Sequence, residues 1–170
     1  MTATIDILDE AMLLAFSVEE MLKYSGPGSP GGVALGFKIL EQALPLLDPA
    51  QPPQRRQVWV RTAFAGPGAR DAIELVTRAA TGDRYVVDPA LALAQRGPTL
   101  ERFVFRIGYL DTAVTLAVRE GIVPDEFVAL ARTGDRSQTQ EERLDRLKLE
   151  MFDRVMGLAA DEVYDVVEAA

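Results

Sequence analysis

Residues 25–32 read Ser-Gly-Pro-Gly-Ser-Pro-Gly-Gly, and six of these eight are Gly or Pro. Neither a helix nor a ladder-forming strand runs through such a stretch. A Pro-rich connection at residues 48–54 and a Gly66-Pro67-Gly68 turn break the chain again. The segments between the breaks must each be read by their own periodicity.

Before the first break, Ile5, Leu8, Met12, Leu13 and Phe16 share a face at helical spacing, which predicts helix across residues 5–24. Ser17-Val18-Glu19-Glu20 is a capping box, so one helix is expected to end near Phe16 and another to start at Ser17. Residues 33–47 repeat a helical pattern through Leu35, Ile39, Leu40, Ala43, Leu44 and Leu47.

Residues 57–65 alternate instead, with Val58, Val60 and Thr62 on one face and Trp59, Arg61 and Ala63 on the other. A helix follows over residues 70–80, ended by Gly82, then a short strand over 84–88. Residues 89–98 fit no single pattern. Phe103, Phe105, Ile107 and Tyr109 alternate in a further strand, and residues 110–120 fit helix or strand.

Pro124 suits the first position of a helix, and Thr139-Gln140-Glu141-Glu142 is a capping box opening an amphipathic helix through Leu144, Leu147, Met151, Val155 and Leu158. Residues 160–169 are expected as a last short helix. Helices, then strands with a helix between, then helices make an α+β chain. The expected form is a small mixed or antiparallel sheet of three to five strands packed with helices. Residues 1–133 are expected to form the core domain and residues 134–170 a helical extension lying on the core or a partner.

Composition narrows the chemistry. The 170 residues include no His and no Cys, which removes disulfides, thiolate and imidazole metal sites, and Ser-His-Asp or Cys-His catalysis. The net charge of −8 argues against nucleic acid as a partner. The charge is uneven. Residues 1–50 carry seven acids and two bases, residues 51–132 nine and eleven, and residues 133–170 ten and five. The longest apolar run near the N-terminus, residues 11–16, is too short to span a bilayer, and no signal peptide is read there. A cytoplasmic protein with no membrane partner is expected.

Tyr24–Lys38, Asp71–Thr77 and Leu158–Val166, taken in this order and spacing, resemble three blocks of the FmdE-like family of formylmethanofuran dehydrogenase subunits. Tyr24-Ser25-Gly26-Pro27-Gly28-Ser29-Pro30-Gly31 stands where that family has an aromatic-His-Gly-x-x-Cys-Pro-Gly segment. After one extra residue, Gly32, Val33-Ala34-Leu35-Gly36-Phe37-Lys38 is similar to the family's helix start. Asp71-Ala72-Ile73-Glu74-Leu75-Val76-Thr77 resembles its Asp-Ala-Ile-Gln-x-x-Thr helix, followed by a Gly turn and a strand ending in Asp88. Residues 158–166 are similar to its closing acidic-aromatic helix.

The resemblance implies an α+β domain, a homodimer, and a link to one-carbon metabolism of the methanofuran kind. It also implies that the turns at residues 25–32 and 66–70 converge. The family's metal ligands are replaced: Ser25 stands for His and Ser29 for Cys, while Gly68 and Ala79 stand where further Cys would fall. No metal and no cofactor are therefore expected. Asp71 and Asp88 supply too few ligands for a hard-cation site.

Converging Gly-rich turns at helix starts would offer backbone N–H groups and hydroxyls to a small anionic or heterocyclic ligand. The candidate ligand-binding residues are Tyr24, Ser25, Gly26, Gly28, Ser29, Gly31, Arg70, Asp71 and Thr77. The competing reading is that the turns only cap helices. Asp71 is either an acid favourable to a helix N-terminus or a general base. Trp59 reads as a core or subunit contact, Tyr24 as packing, and Arg55-Arg56 as a solvated loop. Three functions stay open: a non-catalytic small-molecule-binding or accessory protein, a metal-independent enzyme using Asp71, and a structural subunit of a larger one-carbon enzyme. The missing His and Cys weigh against the enzyme.

Overall fold

The computed structural model describes residues 2–167. The chain is α+β: a two-stranded hairpin and a five-stranded mixed sheet packed with helices.

Residues 5–16 are not helical. They form strands β1 (Thr4–Asp9) and β2 (Met12–Ser17), paired antiparallel with Ile5 opposite Phe16 and Ile7 opposite Leu14. The helical pattern arises because every residue from Ala11 to Phe16 is apolar, so periods of 2 and of 3.6 both find matches. Burial of Ile5 and Ile7 against the core selects the strand. Glu10 makes the tight turn at φ 54° without a glycine to mark it.

The Ser17 box does open helix α1 (Val18–Ser25). Ser17 Oγ accepts from the Glu20 N–H at 3.2 Å, and Glu20 Oε2 accepts from the Ser17 N–H at 2.8 Å. Gly26 ends α1 at φ 83°.

Helix α2 (Pro30–Leu47) is apolar on all sides and correspondingly buried, with Val33, Ala34, Leu35, Phe37, Ile39 and Leu40 fully enclosed. It is the axis of the molecule, touching α1, helix α3 (Pro67–Thr77), helix α6 (Gln138–Met156) and the sheet.

The sheet has five strands in the spatial order β4 (Tyr85–Val87), β3 (Val58–Thr62), β5 (Val104–Tyr109), β6 (Thr112–Val118) and β7 (Tyr164–Val167). Strands β3 and β4 are parallel, linked through α3, and all other pairs are antiparallel. Residues 89–96 form two 3-10 turns, and a short helix α4 (Gly97–Leu100) leads into β5.

The segment after β5, which fits either period, is strand β6, joined by a turn with Leu110 at φ 54°. Val58, Val60, Phe105, Ile107, Leu116 and Val118 share one face of the sheet and belong to the core, with β5 and β6 in contact with α2. Tyr164 closes that core, edge-on to Phe105 at 6.2 Å and donating its hydroxyl to Leu35 O at 2.9 Å.

Several boundaries differ from the sequence expectation. Pro124 is the N-cap of helix α5 (Asp125–Arg132), not its first residue. The capping box of α6 is Ser137 with Gln140, since Ser137 and Thr139 head overlapping boxes and only Ser137 lies outside the helix. Residues 160–167 hold one helical turn, α7 (Ala160–Val163), and then β7, which pairs with β6. The remainder of the expected last helix, from residue 168, lies outside the described residues. Gly82 follows the turn after α3 and does not end the helix; Arg78 does, in the left-handed conformation at φ 58°. Among the described residues no helix is long and apolar enough to cross a membrane.

Candidate functional site

The two Gly-rich turns meet. Ser25 at the end of α1 donates from Oγ to Asp71 Oδ2 in the first turns of α3 at 2.9 Å. Arg70 Nη2 lies 3.4 Å from the other carboxylate oxygen, Oδ1. Asp71 is half-buried and Arg70 exposed, so one side of the pair faces solvent.

Near them is a residue that sequence reasoning missed, Tyr85 on β4. Its hydroxyl is buried and has no hydrogen-bond partner among the described residues. Burial pushes the phenol up to about 12; the Arg70 guanidinium pulls it down and the Asp71 carboxylate pushes it up, so the hydroxyl lies within the field of both. No sequence signal marks Tyr85, whose position is set by the parallel pairing of β4 with β3 after the α3 crossover.

The glycines are occupied by packing. A Cβ on Gly68 would lie 2.5 Å from Ser29 O and 2.9 Å from Val33 N, so the second turn is pressed against the first. Gly32 faces Gly68 and Ala69, and Gly36 faces Ala69 and Ala72, continuing the close approach of α2 and α3 along both helices. Gly31 is buried against Met151 of α6. Lys148 on α6 donates from Nζ to Gly28 O at 3.0 Å. The first turn is therefore clamped between α3 and α6.

Ser29 precedes α2 without a side-chain cap bond, and its carbonyl accepts from the Val33 N–H at 3.0 Å. Gly26 supplies the positive φ that stops α1, its N–H donating to Leu22 O. Tyr24 is 54 % exposed and does not pack as expected.

Thr77 lies apart from the Ser25–Asp71 cluster. It is fully buried further along α3, with Oγ1 donating to Ile73 O at 2.7 Å and accepting from the Ala79 N–H at 3.1 Å. It belongs to a second polar group that holds the C-terminal end of α3. There Arg55 is buried, not solvated as expected, because its Nε and Nη2 donate to Val76 O at 2.9 Å and Leu75 O at 2.7 Å. Arg56 is the solvated member of the pair.

Arg84 donates to Thr77 O, Arg78 O, Arg55 O and Val58 O. Glu74 accepts from the Ala80 N–H at 2.6 Å, from the Thr81 N–H at 3.1 Å and from the Thr81 hydroxyl. Burial pushes the Glu74 carboxyl up, but these bonds and the Arg78 charge outweigh it and hold the pKa below the ordinary value. This group is saturated with internal partners and acts as a cap.

Trp59 is half-buried on the outward sheet face, where its ring covers Gly108 and carries the Arg106 guanidinium 5.9 Å from its centroid. Asp88 follows β4 as expected of a turn residue: its Oδ1 accepts from the Ala90 N–H at 3.0 Å, and its Oδ2 pairs with Arg61 at 3.2 Å. Among the described residues no three His, Cys, Asp or Glu side chains gather as a metal site. The sequence matches no known family model, and comparison with curated proteins gives no match.

Proposed function

We propose that this chain is a non-catalytic binding or accessory protein that takes up a small anionic or heterocyclic metabolite beside Ser25, Arg70 and Asp71. The supporting observation is the Ser25–Asp71 hydrogen bond, which joins residues 46 positions apart; the buried Tyr85 hydroxyl, unpartnered among the described residues, lies within the field of Arg70 and Asp71. Asp71 offers acceptor positions and Arg70 offers donors, side by side. A heterocycle with an N–H beside a carbonyl satisfies both, and a carboxylate satisfies Arg70 alone.

Both Asp71 oxygens already accept from neighbours, which suits a positioning role better than proton abstraction. The family resemblance adds to the proposal a homodimer and a link to one-carbon metabolism, and the sequence reading adds the cytoplasm as its location.

The packing of Gly31, Gly32, Gly36 and Gly68 favours a second reading, a structural subunit of a larger one-carbon enzyme, because helix contact by itself accounts for these glycines. Native mass spectrometry of freshly purified protein separates the two. The binding reading expects an adduct of one defined mass per subunit, absent from the denatured protein and lost in Asp71→Ala and Ser25→Ala. An adduct retained at full stoichiometry in both variants refutes this site. A bare protein refutes the binding reading and favours the structural one.

A further inference from the structure

A separate polar cluster lies where β6 ends and β7 begins. The register sets Ala117 opposite Asp165 and Val118 opposite Tyr164, so Asp165 stands beside the residues that follow β6. Its Oδ2 accepts from Arg96 Nη2 at 3.0 Å, and its Oδ1 lies 3.2 Å from Arg119 Nε. Arg96 Nη2 also donates to Val118 O at 2.9 Å, and Arg119 Nε to Tyr164 O at 3.4 Å. One carboxylate is shared by two anchored guanidinium groups.

A cavity of about 510 Å³ adjoins them, lined by Gln95, Arg96, Leu100, Arg119, Glu120 and Asp165. Its volume falls in the range of small-molecule sites. Arg96 Nε is buried without a hydrogen-bond partner among the described residues, whereas Arg119 is exposed and its Nη groups make no bond to another described residue. A buried guanidinium N–H without an acceptor is costly, and the open Nη edge of Arg119 beside it is free to pair with an oxyanion.

We propose that this cavity binds a small carboxylate-bearing molecule through Arg96 and Arg119. The planar guanidinium fork matches a carboxylate edge on, and Asp165 holds both forks in place before the ligand arrives. Leu100 gives an apolar wall for the ligand's carbon skeleton. Glu120 brings the net charge of the lining to zero and repels a dianion more than a monoanion, so the cavity prefers a monocarboxylate to a phosphate dianion.

The test uses the whole chain labelled with ¹⁵N and follows the arginine Nε–H signals by NMR. Sodium acetate is the probe, with sodium chloride and inorganic phosphate at matched ionic strength. The expected result is a saturable shift of the Arg96 and Arg119 signals with acetate and not with chloride. Arg119→Lys keeps the charge, loses the fork and weakens acetate about tenfold, while Arg61→Ala, which breaks an ion pair on β3, leaves it unchanged. Phosphate binds more weakly than acetate, and Glu120→Gln narrows that gap. The proposal is overturned if acetate shifts match those of chloride, if Arg119→Lys and Arg119→Ala both keep full acetate affinity, or if phosphate binds more tightly than acetate.

Discussion

Gly36→Ala sets helix propensity against packing and tests one of the closest contacts in the molecule. Gly36 lies inside the 18-residue helix α2, where Ala is intrinsically the better residue by about 0.5–1 kcal/mol. By propensity alone the substitution stabilises. The new Cβ, however, would lie 2.8 Å from the Ala72 Cβ, 3.0 Å from Ala69 O and 3.1 Å from the Ala69 Cα.

Carbon atoms in contact prefer about 3.5–4.0 Å, so α2 and α3 must separate by roughly 0.7 Å. Two of the three obstructing atoms are backbone, and no rotamer change relieves them. Overpacking of this kind costs about 1–3 kcal/mol, which exceeds the propensity gain. Mid-range values leave a net loss of about 1 kcal/mol, or a fall in Tm of about 2–4 °C for a chain of this length.

Urea unfolding followed by circular dichroism reads it as a lower midpoint at unchanged slope. Gly28→Ala is the control, because nothing lies within 4 Å of its Cβ position; its effect stays within about 0.5 kcal/mol. Adding Ala72→Gly to Gly36→Ala removes the shortest contact and recovers part of the loss, giving a favourable coupling of more than about 0.5 kcal/mol. A Gly36→Ala protein as stable as the parent, or more so, refutes the close packing of α2 on α3.

Glu74 is a buried acid held as its anion by backbone and hydroxyl donors, so Glu74→Gln should cost about 1–2 kcal/mol near neutral pH. Because its folded pKa is depressed, that contribution is complete above the unfolded value of about 4.3 and fades as the pH falls through the lower folded value. Tm measured from pH 6 to pH 3 should show the gap between parent and variant closing at the acid end; a gap that stays constant contradicts the ionised carboxylate. Gly108→Ala places a Cβ into the Trp59 ring, and as Trp59 is the only tryptophan its emission should move to longer wavelength. An unmoved spectrum would mean that the indole does not lie over Gly108. Ser137→Ala removes the α6 cap and should cost about 1 kcal/mol, whereas Thr139→Ala should change stability little; a larger loss in Thr139→Ala than in Ser137→Ala would show that Thr139 is the cap.

How far the sequence could be read depended on the range of the forces involved. Strand β3 was legible because Val58, Val60 and Thr62 alternate with polar or larger outward residues, a pattern with one solution. The α6 stripe of Leu144, Leu147, Met151 and Val155 is buried as its spacing predicts. The hairpin at residues 4–17 was not legible, because a run apolar on both faces supports two periods and only contact of Ile5 and Ile7 with the core chooses between them. Strand β7 was hidden for a related reason: four residues gain strand geometry only from β6 beside them.

In the candidate site, the Thr77 assignment was open to correction from geometry alone, since six residues turn a helix through roughly 240° beyond a full turn and leave Thr77 off the Asp71 face. Tyr85 was not recoverable that way, as its place beside Arg70 and Asp71 depends on where β4 docks.

By itself, then, the sequence determined the breaks, the α+β class, the Ser17 cap, and the absence of His and Cys chemistry. These depend on the identity of single residues and on contacts a few positions apart. Tertiary structure decided which face each ambivalent segment buried, why Gly31, Gly32, Gly36 and Gly68 have no side chains, and which polar groups meet. Those outcomes depend on atoms brought within a few ångströms from distant parts of the chain, where excluded volume and hydrogen-bond geometry choose among conformations that local preference leaves nearly equal in energy.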